Sequence, residues 1–128
     1  MNVTARLDKL RATLPGCSLV VFGDLFSQIT LCVSSQDKHP QEQLDALCVS
    51  AGVMLDGNVA QSAAAALGMP DRHALTRAVV LGPLFQHVYL RSPVDPADVL
   101  CCVLSVTSDV ERATVRATET LHLIAQPQ

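Results

Sequence analysis

The chain has 128 residues, of which 49% are hydrophobic and 16% are charged, and its formal net charge is −3. This length and composition are typical of one folded domain over residues 1–128, and they exclude a disordered chain. The acidic balance gives no electrostatic support to nucleic-acid binding. The longest apolar runs, such as Val99–Leu104, are too short to insert into a membrane, and the first residues do not resemble a signal peptide. We therefore expect a cytoplasmic protein.

The first part of the chain predicts a helix and two strands. Apolar residues recur at helical spacing over residues 2–14, and Pro15-Gly16 ends the helix. The segment Cys17–Phe22 is apolar on both faces, as in a central strand. After a turn that opens at Gly23-Asp24, apolar and polar residues alternate over residues 29–34, which indicates a half-buried strand. The two strands are close enough in sequence to form a hairpin.

The segment Pro40–Leu67 predicts a long helix with two apolar faces. Pro40 suits the first turn of a helix, whereas Asp56-Gly57-Asn58 is expected to kink or break the middle. One face, with Leu44 and Cys48 among its residues, fits against the domain's own sheet. The second face needs another partner, or else it packs on loops of the same domain. Its residues are Ala46, Val49, Val53, Ala60, Ala64 and Leu67.

The second half predicts three strands and a closing helix. The strands are expected over residues 76–81, 86–91 and 99–106, and the last of these is the most apolar and should be central. Ser108 and Glu111 have the spacing of a capping box at the start of the last helix. The sequence therefore predicts the order helix, two strands, long helix, three strands, helix.

No motif in the sequence indicates catalysis or metal binding. The five cysteines include no CxxC pair, and no histidine lies at a zinc-finger spacing, so we predict buried free thiols, no metal and no cofactor. GxSxG, HExxH and phosphate-binding glycine loops are also absent from the sequence. We predict no catalytic residue and no enzymatic activity. Arg72 and Arg77 flank a strand without a spacing that indicates an arginine finger.

Three larger side chains share one face of the strand over residues 86–91. They are His87, Tyr89 and Arg91. One interpretation is a polar patch for a partner or ligand. The alternative is a solvated sheet edge, or packing beneath a terminal helix.

The sequence resembles the roadblock domain family, which is named for dynein light chains and also occurs in bacterial regulators of small Ras-like GTPases. The resemblance covers roughly residues 3–125. LVVFGDLFSQITLCVSS is similar to the family's first hairpin, and PQEQLDALCVSAGVML is similar to the start of its dimer helix. RAVVLGPLFQHVYLRSPVDPADVLCCVLS is similar to its last three strands.

This resemblance implies an α/β (α+β) fold with a five-stranded, mostly antiparallel sheet between helices. It also implies a homodimer in which the strand after the long helix pairs with its copy, so that the sheet continues across the dimer. The long helices would lie side by side on one sheet face, and the terminal helices would cover the other. The implied interface consists of Ala46, Val49, Val53, Ala60 and Ala64 of the helix with Ala78, Val79, Val80 and Leu81 of the edge strand.

The function implied by the resemblance is a non-catalytic dimeric scaffold or regulator that binds a small Ras-like GTPase. The alternative is a small-molecule sensor, because helices over a sheet can enclose a pocket. A low aromatic content of 3% makes such a pocket less favourable. An enzyme is the least favoured of the three classes.

Overall fold

Helices and strands follow one another along the chain in the predicted order. The structure is a computed structural model that describes residues 1–69 and 75–126. Its one departure in element number is that the predicted long helix is divided in two. The elements are α1 Val3–Thr13, β1 Cys17–Asp24, β2 Ile29–Ser35, α2 Gln41–Asp56, α3 Asn58–Ala66, β3 Arg77–Leu81, β4 Phe85–Arg91, β5 Asp98–Ser105 and α4 Val110–Ala125.

The five strands form one antiparallel sheet in the order β2-β1-β5-β4-β3. The most apolar strand, β5, lies at the centre, as predicted from its uninterrupted apolar run. β1 and β2 pair as the predicted hairpin, with a register shift between Phe22 and Gly23. This topology leaves β2 and β3 as the two edges of the sheet.

One face of the sheet is covered by the two terminal helices. Leu7 and Leu10 of α1 and Ala117 and Leu121 of α4 pack with the alternate strand residues that point to this side, including Leu100. Adjacent residues of a strand point to opposite faces, so Cys101 and Cys102 belong to different halves of the core. The terminal helices and the sheet therefore bury one layer of the core without help from α2.

The opposite face of the sheet is covered by α2. Leu44, Cys48 and Leu55 of this helix pack with Val99 and Cys101 of the central strand. The sequence predicted this arrangement, because these helical residues recur at the spacing of a single face. The chain is thus a three-layer α+β fold with helices on both sides of the sheet.

The long helix is interrupted at Gly57, which has φ −70° and an extended ψ of 177°. A Cβ at this position would lie 2.4 Å from the carbonyl oxygen of Val53, so a larger residue does not fit without a shift of the backbone. Because α3 restarts after an extended residue, its faces do not continue those of α2. The predicted second stripe is therefore not continuous: Ala60 and Ala64 are only 5% and 8% exposed within the single chain.

The predicted capping box at the start of α4 is wrong by one residue. Asp109 is the N-cap, and its carboxylate accepts a hydrogen bond from the Arg112 amide at 3.0 Å. The Ser108 hydroxyl instead donates to the Pro15 carbonyl oxygen at 3.0 Å. Ser108 therefore joins the end of the sheet to the turn after α1 rather than capping the helix.

All five cysteines have free thiols, and four of them are buried in the core. Burial raises the pKa of the Cys101 thiol well above its usual value, because the thiolate is poorly solvated there. Buried neutral thiols of this kind act as small hydrophobic side chains. Among the helices of residues 1–69 and 75–126, none is long and apolar enough to span a membrane.

Candidate protein interaction surface

β3 is an edge strand whose outer side has no strand partner among the described residues. Ala78 and Val80 point toward α2 and are partly buried against that half of the core. Val79 lies opposite Val88, so it faces the side of the terminal helices, but neither α1 nor α4 contacts β3 in the part of the chain that the structure describes. Val79 and Leu81 are accordingly exposed.

An exposed apolar stripe runs along the outer side of α2. It consists of Ala46, Val49 and Val53, and we call it the α2 stripe. The helix that carries the stripe contacts β3, so the exposed stripe and the open strand lie on two adjacent elements. Exposed valines beside an unpaired strand edge are typical of surfaces that bind another chain.

The other edge strand, β2, is held by side chains of the same chain. The Thr30 amide donates to a carboxylate oxygen of Asp45 at 2.8 Å, and Gln41 donates to the same oxygen at 2.9 Å. The Thr30 amide is the main reason why the pKa of Asp45 lies below its usual value. No pattern in the sequence indicates this contact, because a polar residue in a helix is ordinarily exposed to solvent.

Arg91 is buried at the end of β4, and its side chain is only 2% exposed. Its guanidinium forms an ion pair with Asp56 at the end of α2. It also donates to the carbonyl oxygens of Leu75 and Pro96 at 3.1 and 3.0 Å. The buried charge is therefore well partnered, and it joins α2 to the segment that leads into β3.

Tyr89 and His87 lie on the same face of β4 as Arg91, as the alternation predicted. Their rings stack at a centroid distance of 6.1 Å and an interplanar angle of 10°. Burial raises the pKa of Tyr89 to about 12, and burial lowers the pKa of His87, because each charged form loses water. Tyr89 is buried on the α2 side of the sheet and Arg91 is buried beside the end of α2, so the helix that covers them is not a terminal one as expected, whereas His87 is partly exposed.

The predicted site residues therefore divide into groups. Ala46, Val49 and Val53 are exposed, as are Val79 and Leu81, whereas Ala78 and Val80 are partly buried. Arg77 is exposed on β3, and Arg72 lies outside the described residues. Within residues 1–69 and 75–126, no group of three or more metal-binding side chains is suitable for a metal ion.

Comparison with known proteins gives matches to solved structures only. No protein-family model and no curated protein matches the sequence. A Roadblock/LC7 domain from Streptomyces avermitilis matches with a TM-score of 0.76 at 12% identity, over 97% of this chain and 95% of that chain. The chain has the Roadblock/LC7 fold. The predicted resemblance is thus confirmed for the fold.

Two MglB structures have the same architecture. The gliding protein MglB from Thermus thermophilus matches with a TM-score of 0.76 at 14% identity, over 96% of this chain and 85% of that chain. An MglB with a tetrameric arrangement matches with a TM-score of 0.74 at 13% identity and the same coverages. At these identities the likeness shows the architecture, and the function has to be argued from the surface.

Proposed function

We propose that the chain is a cytoplasmic, non-catalytic homodimer that binds and regulates a small Ras-like GTPase. The observation that carries the proposal is an exposed apolar stripe on α2, a helix that contacts the open edge strand β3. Two copies related by a two-fold axis would pair their β3 strands and bring their α2 helices together. This arrangement would remove the unpaired edge of each sheet and cover Val49 and Val53.

The solved structures of the same fold support this proposal. They include MglB, a gliding protein, and one MglB has a tetrameric arrangement. The interface that we propose for this chain is smaller than the predicted one. It uses the α2 stripe and β3, and it leaves out Ala60 and Ala64, which the chain already buries by itself.

A dimer of this kind would act on a GTPase by holding its switch loops in one conformation. The described part of the chain offers no catalytic constellation for GTP hydrolysis, and Arg77 is an exposed residue of β3 without a positioning partner among the described contacts. We therefore propose that the platform itself, and not a supplied arginine, provides the regulation. The small-molecule sensor is not favoured by any particular contact.

The substitution Val53→Asp tests assembly. Val53 is 56% exposed on α2, so the aspartate does not perturb the core of a single chain, but it would place an unpaired charge in the dimer interface. We expect light scattering to give a dimer for the wild type and a monomer for this variant. Val115→Asp is the matched control, because Val115 is 53% exposed on α4, on the other side of the sheet. A wild-type chain that is monomeric at micromolar concentration contradicts the proposal.

The GTPase role is tested by affinity capture from the native host, followed by hydrolysis assays with the captured GTPase. Arg77→Ala and Arg72→Ala should each change stimulated hydrolysis by far less than the roughly thousandfold loss that removal of an arginine finger causes. Val53→Asp should abolish the effect on the GTPase. A single arginine variant that abolishes stimulation while the dimer and the binding remain intact would falsify the platform mechanism.

A further inference from the structure

A groove of about 350 Å³ runs between α1 and α4 on the outer surface of the domain, on the opposite side of the sheet from the α2 stripe. Its apolar lining, which we call the floor, includes Leu10, which is buried, and Leu123, which is 42% exposed. Thr13 and Thr120 add two small polar side chains to its lining. The groove is therefore amphipathic.

The walls of the groove are basic. Arg6 and Lys9 lie three residues apart on α1, and Arg112 and Arg116 lie four residues apart on α4, so each pair shares one side of its helix. Four of the nine basic residues of an acidic chain thus line one groove, against a single acidic residue, Glu119. Such an uneven distribution of charge is a physical basis for recognising an acidic partner.

Neighbouring charges do not neutralise this groove. The ion pair between Arg116 and Glu119 joins atoms 3.4 Å apart, and both side chains are at least half exposed. Ion pairs of this exposure are weak and are readily exchanged for a better partner. Four basic side chains against this one carboxylate leave the lining of the groove with a net positive charge.

The shape of the groove distinguishes among acidic partners. A free phosphate would use the basic walls but not the leucines of the floor, and a flat lipid surface does not enter a concave groove between two helices. A helix with acidic and apolar sides would use both the walls and the floor. The length of the groove also suits a helix. The 11 residues of α1, which form one side of the groove, span about 16 Å, and three turns of a bound helix have the same length.

We propose that the groove between α1 and α4 binds an acidic amphipathic helix of a partner protein. The acidic side of that helix pairs with the two basic walls, and its apolar side covers Leu123 and the floor. This site is independent of the proposed dimer interface, so one dimer would bind such helices on the outer side of each subunit.

The test uses a fluorescein-labelled synthetic peptide of 14 residues, with leucines along one side of a helix and glutamates along the other. Fluorescence anisotropy should show saturable binding to the wild-type chain. Lys9→Glu and Arg112→Glu should each weaken binding at least tenfold, because each reverses a charge in one wall. Lys38→Glu is the matched control. It reverses an exposed lysine outside the groove and should leave binding within twofold.

Two further probes examine the apolar floor and the alternative ligands. A peptide with serine in place of every leucine keeps the charge, and we expect it to bind at least tenfold more weakly. Vesicles that contain phosphatidylserine, and inorganic phosphate at 10 mM, should neither bind the chain nor displace the peptide. Val53→Asp should bind the peptide normally, which separates this site from the dimer surface.

Several results would overturn the inference. They are no binding at 200 µM peptide, equal binding of the leucine and serine peptides, and an equal effect of Lys9→Glu and Lys38→Glu. Binding to vesicles in place of the peptide would assign the groove to a membrane surface instead. Thermal unfolding of each variant should show that the substituted chains remain folded, because the three charged residues are exposed.

Discussion

At the β2 edge of the sheet, a carboxylate from α2 accepts a hydrogen bond from the Thr30 amide, whereas the β3 edge is exposed with Val79 and Leu81 beside it. α1 also ties down the β2 edge, because Arg11 donates to the Ser34 hydroxyl oxygen at 2.8 Å. One edge is thus occupied by the chain's own side chains and the other is left open. An unpaired edge is a hazard for aggregation unless it has a partner, and this difference is the reason why the proposed dimer uses β3 rather than β2.

The largest effect is expected from Arg91→Ala, which attacks the support of the β3 edge. Arg91 binds Asp56 and the carbonyl oxygen of Leu75, just before β3. Its removal takes the hydrogen-bond donor from the Leu75 carbonyl oxygen and one ion-pair partner from Asp56, which is 26% exposed, and we expect the free energy of unfolding to fall by about 1–3 kcal/mol in urea denaturation. Arg116→Ala is the control, since its surface ion pair should contribute less than about 1 kcal/mol. Equal losses for the two variants would refute a supporting role of Arg91.

A second pair of variants compares the two edges directly. Val79→Lys places a lysine at the centre of β3, where two copies paired in register would bring like charges opposite each other. We expect at least a tenfold higher dissociation constant of the dimer in light scattering or sedimentation. Leu31→Lys is the counterpart on β2, where Leu31 is 54% exposed, and it should leave association unchanged. Dissociation by Leu31→Lys alone would show that β2, and not β3, forms the interface.

A third variant, Asp45→Asn, tests how the β2 edge is held. The pKa of Asp45 is lowered in the folded chain, mainly by the Thr30 amide. The carboxylate therefore adds stability above the unfolded pKa of about 3.9, and this stability is lost as the pH falls through the lower folded pKa. The melting temperature of the wild type should exceed that of Asp45→Asn at pH 7, and the two should converge in acid, once the pH lies below the lowered folded pKa. Asp37→Asn, in an exposed loop, should not reproduce this pattern.

The smallest expected effect is a shift in the titration of Tyr89, which lies on β4, the strand next to the open edge strand β3. It is the single tyrosine of a chain without tryptophan, so absorbance near 295 nm follows it alone. Burial raises the pKa of Tyr89 to about 12, so the midpoint of its absorbance titration in the folded chain should lie well above the midpoint of about 10 for the chain unfolded in urea. Because the neutral phenol is favoured in the folded chain, Tyr89 contributes stability that is complete below its unfolded pKa of about 10 and is lost as the pH rises through about 12. A folded midpoint near 10 would mean that α2 does not cover this side chain.

Local patterns in the sequence were sufficient for most of the elements. The apolar run of β5 predicted its central place in the sheet, because a strand that is apolar on both faces is covered on both faces. The alternation over β2 predicted the strand but not its buried side, since Ile29 and Leu31 are exposed whereas Ser34 is buried. The capping of α4 was mispredicted because the Ser108 hydroxyl has a partner 93 residues away in sequence, at Pro15. A local motif does not contain that competing hydrogen bond.

The candidate surfaces were less predictable from the sequence, because they too depend on contacts between residues that are far apart in the chain. The sequence left open whether Arg91 belongs to a polar patch, a solvated edge or a face beneath a terminal helix, and only the folded chain brings Asp56 to it from 35 residues away. The basic walls of the groove are about 100 residues apart in sequence, so their proximity depends on the packing of α1 against α4. In contrast, the α2 stripe was predictable, because Ala46, Val49 and Val53 belong to one uninterrupted helix.

The interruption at Gly57 sets a length scale for whatever binds α2. The straight part of this face extends over the 16 residues of α2, or about 24 Å, and then the backbone changes direction. A rigid partner that follows one helix axis therefore has a footprint of limited extent. Gly57 thus limits the length of α2 that a rigid partner contacts along one helix axis.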